Sequence, residues 1–177
     1  MTDWFHPAQL AATAIQVVIS TVFGRQADHR VMEALASAPT GAFDYSAAES
    51  FTFDYVADTG DGWDSTYTLA YHLAQPRLEF PQGSGILSLP RGQVLIFGGD
   101  EVYPVADRAQ YERRLVGPFE TAMALSLGEA EAPHVFAIPG NHDWYDSLVA
   151  FTRLFLGKSW LAAWRSLQTR SYFALKL

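Results

Sequence analysis

Val94-Leu95-Ile96-Phe97-Gly98-Gly99-Asp100 is a short apolar run that stops at two glycines and an acid. Four consecutive apolar residues with no polar alternation read as a strand buried on both faces, as in a parallel sheet. The same form occurs twice more. Phe51-Thr52-Phe53-Asp54-Tyr55-Val56-Ala57 is rich in aromatic and β-branched residues and ends in Asp58-Thr59-Gly60-Asp61-Gly62. His134-Val135-Phe136-Ala137-Ile138 ends in Pro139-Gly140-Asn141-His142-Asp143. Asp58 and Asp100 are 42 positions apart and Asp100 and Asn141 are 41 apart, room for one crossover connection each. The spacing predicts parallel strands covered by helices, an α/β fold. In such sheets ligands bind beyond the carboxyl ends of the strands, where these three loops would converge.

Outward from the strands, a helix capped by Asp64 or Ser65 runs through Leu73. Another spans roughly 107–127, interrupted at Gly117-Pro118, and a third runs through Leu156. The stretch 76–92, with its prolines and glycines, reads as a loop. Ser171 to Leu177 reads as a fourth strand, and Leu154, Phe155, Trp160, Leu161 and Trp164 as helix core. Toward the N-terminus, Ile15, Val18, Ile19 and Val22 share one face of a helix expected to pack on the domain or on a partner. A short second helix is expected from Asp28 to Ala36. The chain divides into an N-terminal helical segment, 1–45, and an α/β domain, 46–177.

Composition sets limits. The chain has 177 residues, 49% of them hydrophobic and 18% charged, as in a globular domain. Its net charge of −7 speaks against a non-specific nucleic-acid surface. There is no cysteine, so disulfides, zinc–thiolate sites and thiol nucleophiles are excluded. The apolar stretch from Leu10 to Phe23 is shorter than the ~20 residues that span a bilayer. No basic region precedes it, so neither a signal peptide nor a transmembrane segment is expected, and a cytoplasmic location follows.

The loop residues offer hard donors. Asp58 and Asp100 carry anionic oxygens, Asn141 a neutral oxygen and His142 an imidazole. A carboxylate at a strand tip can bridge two cations, and two metals about 3.5–4 Å apart activate a water for in-line phosphoryl displacement. A lone Gly-Asp after a strand is most often a turn; the ordered combination of three such loops is the stronger signal.

The order Asp58-Thr59-Gly60, Gly99-Asp100-Glu101-Val102-Tyr103 and Gly140-Asn141-His142-Asp143 resembles the calcineurin-like metallophosphoesterase superfamily. D-x-G and GDxxY resemble its purple acid phosphatase branch. The resemblance implies an α/β/β/α sandwich, here incomplete and made of the strand-loop-helix units of the first half. It implies two divalent or di/trivalent metal ions (Mn, Fe, Zn or Mg) and a small phosphoester substrate. Asp58 would bind the first metal, Asp100 both, Tyr103 the first and Asn141 the second. His142 would contact the phosphate and protonate the leaving oxygen, with Asp143 orienting it. Asp61 reads as a turn residue. Trp63, Trp144 and Tyr145 either rim a cleft or pack beneath the loops.

The resemblance also implies a later lone histidine and a GHxH motif, yet none of the five histidines follows His142. The chain is therefore read as the N-terminal part of a hydrolase domain whose C-terminal half is its missing partner. Metal binding is expected to be weak and hydrolysis slight, with apolar surface left exposed. The alternative is a non-catalytic binding or regulatory domain with a degenerate site. No Gly-rich phosphate loop and no nucleophile elbow occurs, which disfavours nucleotide-binding and serine-hydrolase readings.

Overall fold

The computed structural model describes residues 5–23, 41–123, 132–156 and 160–177. The expected helix at 28–36 lies outside these residues. Strand β1 is Phe43–Asp44 and β2 is Phe53–Val56; helix α2, Trp63–Ala74, follows the N-terminal α1, Pro7–Phe23. Strands β3 (Arg77–Gln82), β4 (Gly85–Pro90) and β5 (Val94–Phe97) come next. Helix α3, Arg108–Tyr111, widens into a π-helical run, Glu112–Val116, and continues as α4, Gly117–Met123. After β6 (His134–Ala137), a 3-10 turn, Asp143–Asp146, leads to α5 (Val149–Phe151) and a second π-helical run, Thr152–Leu156. Strands β7 (Trp160–Leu161), β8 (Trp164–Ser166) and β9 (Leu175–Lys176) close the order.

The main sheet has the order β2-β5-β6-β8-β7, and its first three pairings are parallel. Register aligns Phe53 with Val94 and Val94 with His134, so the three predicted strands run side by side and end level. Alternation then sorts their side chains. Leu95, Phe97, Val135 and Ala137 join the helix-covered core with Phe119, Phe155 and Trp164. The opposite face carries Phe136, against which Phe43 and Phe173 pack with ring centroids 4.7 and 4.9 Å away. Those two aromatics belong to the segment around β1 and β9, a two-stranded parallel ribbon that begins a second layer. Phe53 and Tyr55 are exposed.

Four expectations need correction. Of 171–177, Leu175–Lys176 forms a strand, β9, paired with β1, while an unexpected strand, β8, lies beside β6. Three residues are too few to show a period, and Trp164 is buried in this strand rather than in a helix. Trp160 and Leu161 likewise form β7 rather than helix, while Leu154 and Phe155 are helical and buried, as expected of helix core. The stretch 76–92 is a hairpin, not a loop: Leu78 faces Leu89 and Phe80 faces Leu87, joined at Gly83-Ser84. Gly83 takes a φ of 59°, the left-handed geometry that tight hairpin turns require. Helix α2 is preceded by Gly62 at its cap position, and Asp64 sits in its first turn. Helix α1 meets the turn Asp143–Asp146, and Ile15, Val18, Ile19 and Val22 on its predicted face are exposed.

Candidate metal and phosphate site

The loops after β2, β5 and β6 are joined by main-chain bonds that extend the sheet past its strands. Asp58 N–H donates to Gly99 O and Thr59 N–H to Asp100 O, both at 3.1 Å. Tyr103 N–H reaches Gly60 O at 3.2 Å, and the Thr59 hydroxyl donates to Glu101 O at 2.8 Å. Asp58 and Asp100 themselves have φ of 55° and 53°. That left-handed conformation is uncommon for a residue with a Cβ, though Asp tolerates it better than most, and it clusters at functional sites. Gly60 fits only without a side chain, because a Cβ there would lie 2.3 Å from Glu101 O.

The structure brings Asp58, Asp100 and Tyr103 to one point. The Tyr103 hydroxyl donates to Asp58 Oδ1 and, at 3.0 Å, to Asp100 Oδ2. Burial first, then these two carboxylate bonds, push the Tyr103 phenol far above its ordinary range. Asp58 is exposed and Asp100 half-buried. The third loop is tied in through Asp100, whose Oδ1 accepts the His142 N–H at 2.8 Å. Asn141 sits exposed beside it.

His142 Nδ1 lies 2.7 Å from Pro104 O. A carbonyl only accepts, so Nδ1 carries a proton and Nε2 is the nitrogen through which the ring can exchange one. The ring is held between Tyr103 and Tyr145, with centroids 4.5 and 4.8 Å away.

Asp143 was expected to orient His142, and its bonds run elsewhere. Fully buried, it accepts from Gly140 N–H at 2.8 Å, Glu101 N–H at 3.4 Å and the Tyr111 hydroxyl at 2.7 Å. It therefore braces the second and third loops from beneath. Glu101, also fully buried, lies beside it with neither carboxyl oxygen in hydrogen-bonding geometry. Burial and then the neighbouring Asp143 drive its pKa well up. Neither Glu101 nor Tyr111 stood out in the sequence. A tyrosine in a helix carries no sign that its hydroxyl will reach a carboxylate 32 positions away.

Of the other residues singled out, Trp63 stacks on Tyr67 at 5.1 Å, a packing role. The carbonyl of Asp61 accepts from Arg114 at 2.9 Å, as suits a turn residue. Tyr145 meets His142 through its ring and through its N–H, which donates to His142 O at 3.1 Å.

Two carboxylates and a phenol on one point suit a hard cation in chemistry. The set is small: among the described residues, no three His, Asp or Glu side chains gather closely enough to hold a metal ion. The family model described as calcineurin-like phosphoesterase matches residues 51–174, more than half of the chain. The chain belongs to that family. The match begins just before β2 and takes in all three loops, so the calcineurin-like phosphoesterase region is the parallel-rich sheet with its helices. This mixed α/β architecture fits the fold of the family. No curated protein and no solved structure gives a significant match.

Proposed function

We propose that this calcineurin-like phosphoesterase chain supplies ligands of a dinuclear, metal-dependent site for hydrolysing small phosphoesters. The observation that carries the reading is the Tyr103 hydroxyl bonded to both Asp58 and Asp100. Oxygens from two separate loops converge there, on residues whose motif order matches that of phosphoesterases. Asp58, Asp100, Tyr103 and Asn141 would hold the metals, with Asp100 between them. The metals, when bound, supply an activated water and neutralise charge on the phosphoryl oxygens.

The chain's own residues do the rest. Asp100 Oδ1 holds the His142 main chain and Pro104 O holds the proton on Nδ1, so Nε2 is the nitrogen that would take up a proton and, from the imidazolium so formed, pass it to a leaving oxygen. Asp143 acts as a positioning residue through Gly140 and Glu101. The likeness of Gly99-Asp100-Glu101-Val102-Tyr103 to GDxxY supports a tyrosinate-type first metal site, as in the purple acid phosphatase branch. A phosphate-binding domain without turnover is the second reading, and the small number of charged donors favours it.

Calorimetric titration with Mn²⁺, together with an aryl phosphate assay on the same chain, tests the proposal. Asp100→Asn is expected to weaken Mn²⁺ binding at least tenfold, about 1.4 kcal/mol, and to abolish any turnover. Unchanged binding in Asp100→Asn would remove the metal assignment. Mn²⁺ binding that depends on Asp100, without chelator-sensitive turnover, would favour the second reading.

A further inference from the structure

Both π-helical runs of the molecule border one cavity. About 300 Å³ in volume, it lies between α3 and α5, with Glu112 contributed by the first run and Arg153 and Leu154 by the second. A π turn carries an extra residue, which throws side chains off the regular ridges and leaves space that ordinary helix packing fills. Such turns are frequent at functional sites. None of Asp58, Asp100, Tyr103, Asn141 or His142 lines this cavity.

Its lining is divided by chemistry. Tyr111 and Leu154, both buried, and Ala150 form an apolar floor. Arg108 and Arg153, both exposed, stand at the rim with Glu112. Neither arginine forms an ion pair with a described residue. Two guanidinium groups without a carboxylate partner among the described residues, in a chain of net charge −7, border a cavity large enough for a small organic molecule.

We propose that this cavity binds a small organic acid: a carboxylate held by Arg108 and Arg153, an apolar body over Tyr111, and a donor group facing Glu112. Glu112 disfavours an anion that carries no hydrogen-bond donor of its own. The occupant would rest on the ring whose hydroxyl holds Asp143, and Asp143 holds Gly140 N–H. Binding would therefore stiffen the brace beneath the third loop. The inference does not depend on the catalytic reading.

4-Hydroxybenzoate, which carries all three features, is the probe. Calorimetry on the whole chain is expected to show saturable binding below about 10 mM, corresponding to a few kcal/mol by the usual affinity relation. The double variant Arg108→Gln/Arg153→Gln should weaken binding about tenfold or more. Both arginines are exposed, and circular dichroism checks that the variant folds. Asp100→Asn should bind the probe as the parent chain does, and bound probe should raise Tm in the parent chain but not in the arginine variant. Absence of saturable binding, or equal binding by the arginine variant, overturns the proposal. So does probe binding lost in Asp100→Asn, which would place the anion at the candidate metal site.

Discussion

Gly140 lies so close to Asp100 that a Cβ on it would come within 2.1 Å of Asp100 Oδ1 and 2.3 Å of the Asp100 amide nitrogen. The third loop crosses the second at this point, and backbone leaves no room for even a methyl group. Gly140→Ala should therefore displace Asp100, lower stability by roughly 1–3 kcal/mol as overpacking does, and weaken Mn²⁺ binding. Urea unfolding and calorimetry check both. An alanine variant with parental stability and metal affinity would show that the loops can separate freely.

Tyr111→Phe removes one of the three donors that satisfy the buried Asp143. A buried carboxylate losing a donor should lower unfolding free energy by about 1–3 kcal/mol. The same substitution in an Asp143→Asn background should produce a smaller change, and a double-mutant cycle by denaturant unfolding measures that difference. Full additivity of the two changes would mean that the hydroxyl and the carboxylate do not act together.

Asp146 is half-buried and is pushed up to about 6, mainly by burial, against the N–H groups of Val149 and Ala150 that favour its anion. A carboxyl whose folded pKa exceeds its unfolded value binds more protons when folded. Its contribution to stability is fully present below about pH 4, falls as pH rises to about 6 and is level above that. Solvent screening of a half-buried group reduces the amplitude to about 1 kcal/mol. Asp146→Asn keeps an oxygen for the cap and should flatten the decline between these pH values. A parental slope in thermal melts of Asp146→Asn would assign the proton to another group.

Gln168 stands in for a missing piece of strand. Buried at the end of β6, its amide accepts from Ala137 N–H at 2.6 Å and donates to Ala137 O at 2.9 Å. On β6, strand β8 pairs with His134 and Val135 and stops there, so the side chain continues the ladder where backbone has turned away. Gln168→Leu leaves both main-chain groups of Ala137 without these partners and should lower stability by about 2–4 kcal/mol. Hydrogen exchange at Ala137 should accelerate as well. Unchanged protection there would show that another group takes over.

The strands that carry the candidate site were legible because they are short, apolar and stopped by glycine. Val94–Phe97 matches its predicted bounds, and His134–Ala137 differs by one residue. Other elements declare themselves only through partners. Trp164–Ser166 is a strand because β6 and β7 lie on either side of it, and no pattern in three residues shows this. In the hairpin Arg77–Pro90, Pro81 and Pro90 obscured a turn at Gly83-Ser84 that the flanking Leu78, Phe80, Leu87 and Leu89 could have revealed. At the site, the loop residues were visible as motifs. The brace was not, since Asp143, Tyr111 and Glu101 meet only after the crossovers have closed.

Those crossovers also govern how the molecule comes to exist. The register pairs Phe53 with Val94, 41 residues on, and Val94 with His134, 40 residues on. Each central ladder bond therefore requires closing a long stretch of chain before any contact rewards the lost freedom. Folding should be slow for a domain of this size. Asp58, Asp100 and Asn141 lie on three distant segments, so a partly folded chain would have strands but not the proposed site. Metal-dependent protection, followed through refolding, should be the last signal to appear.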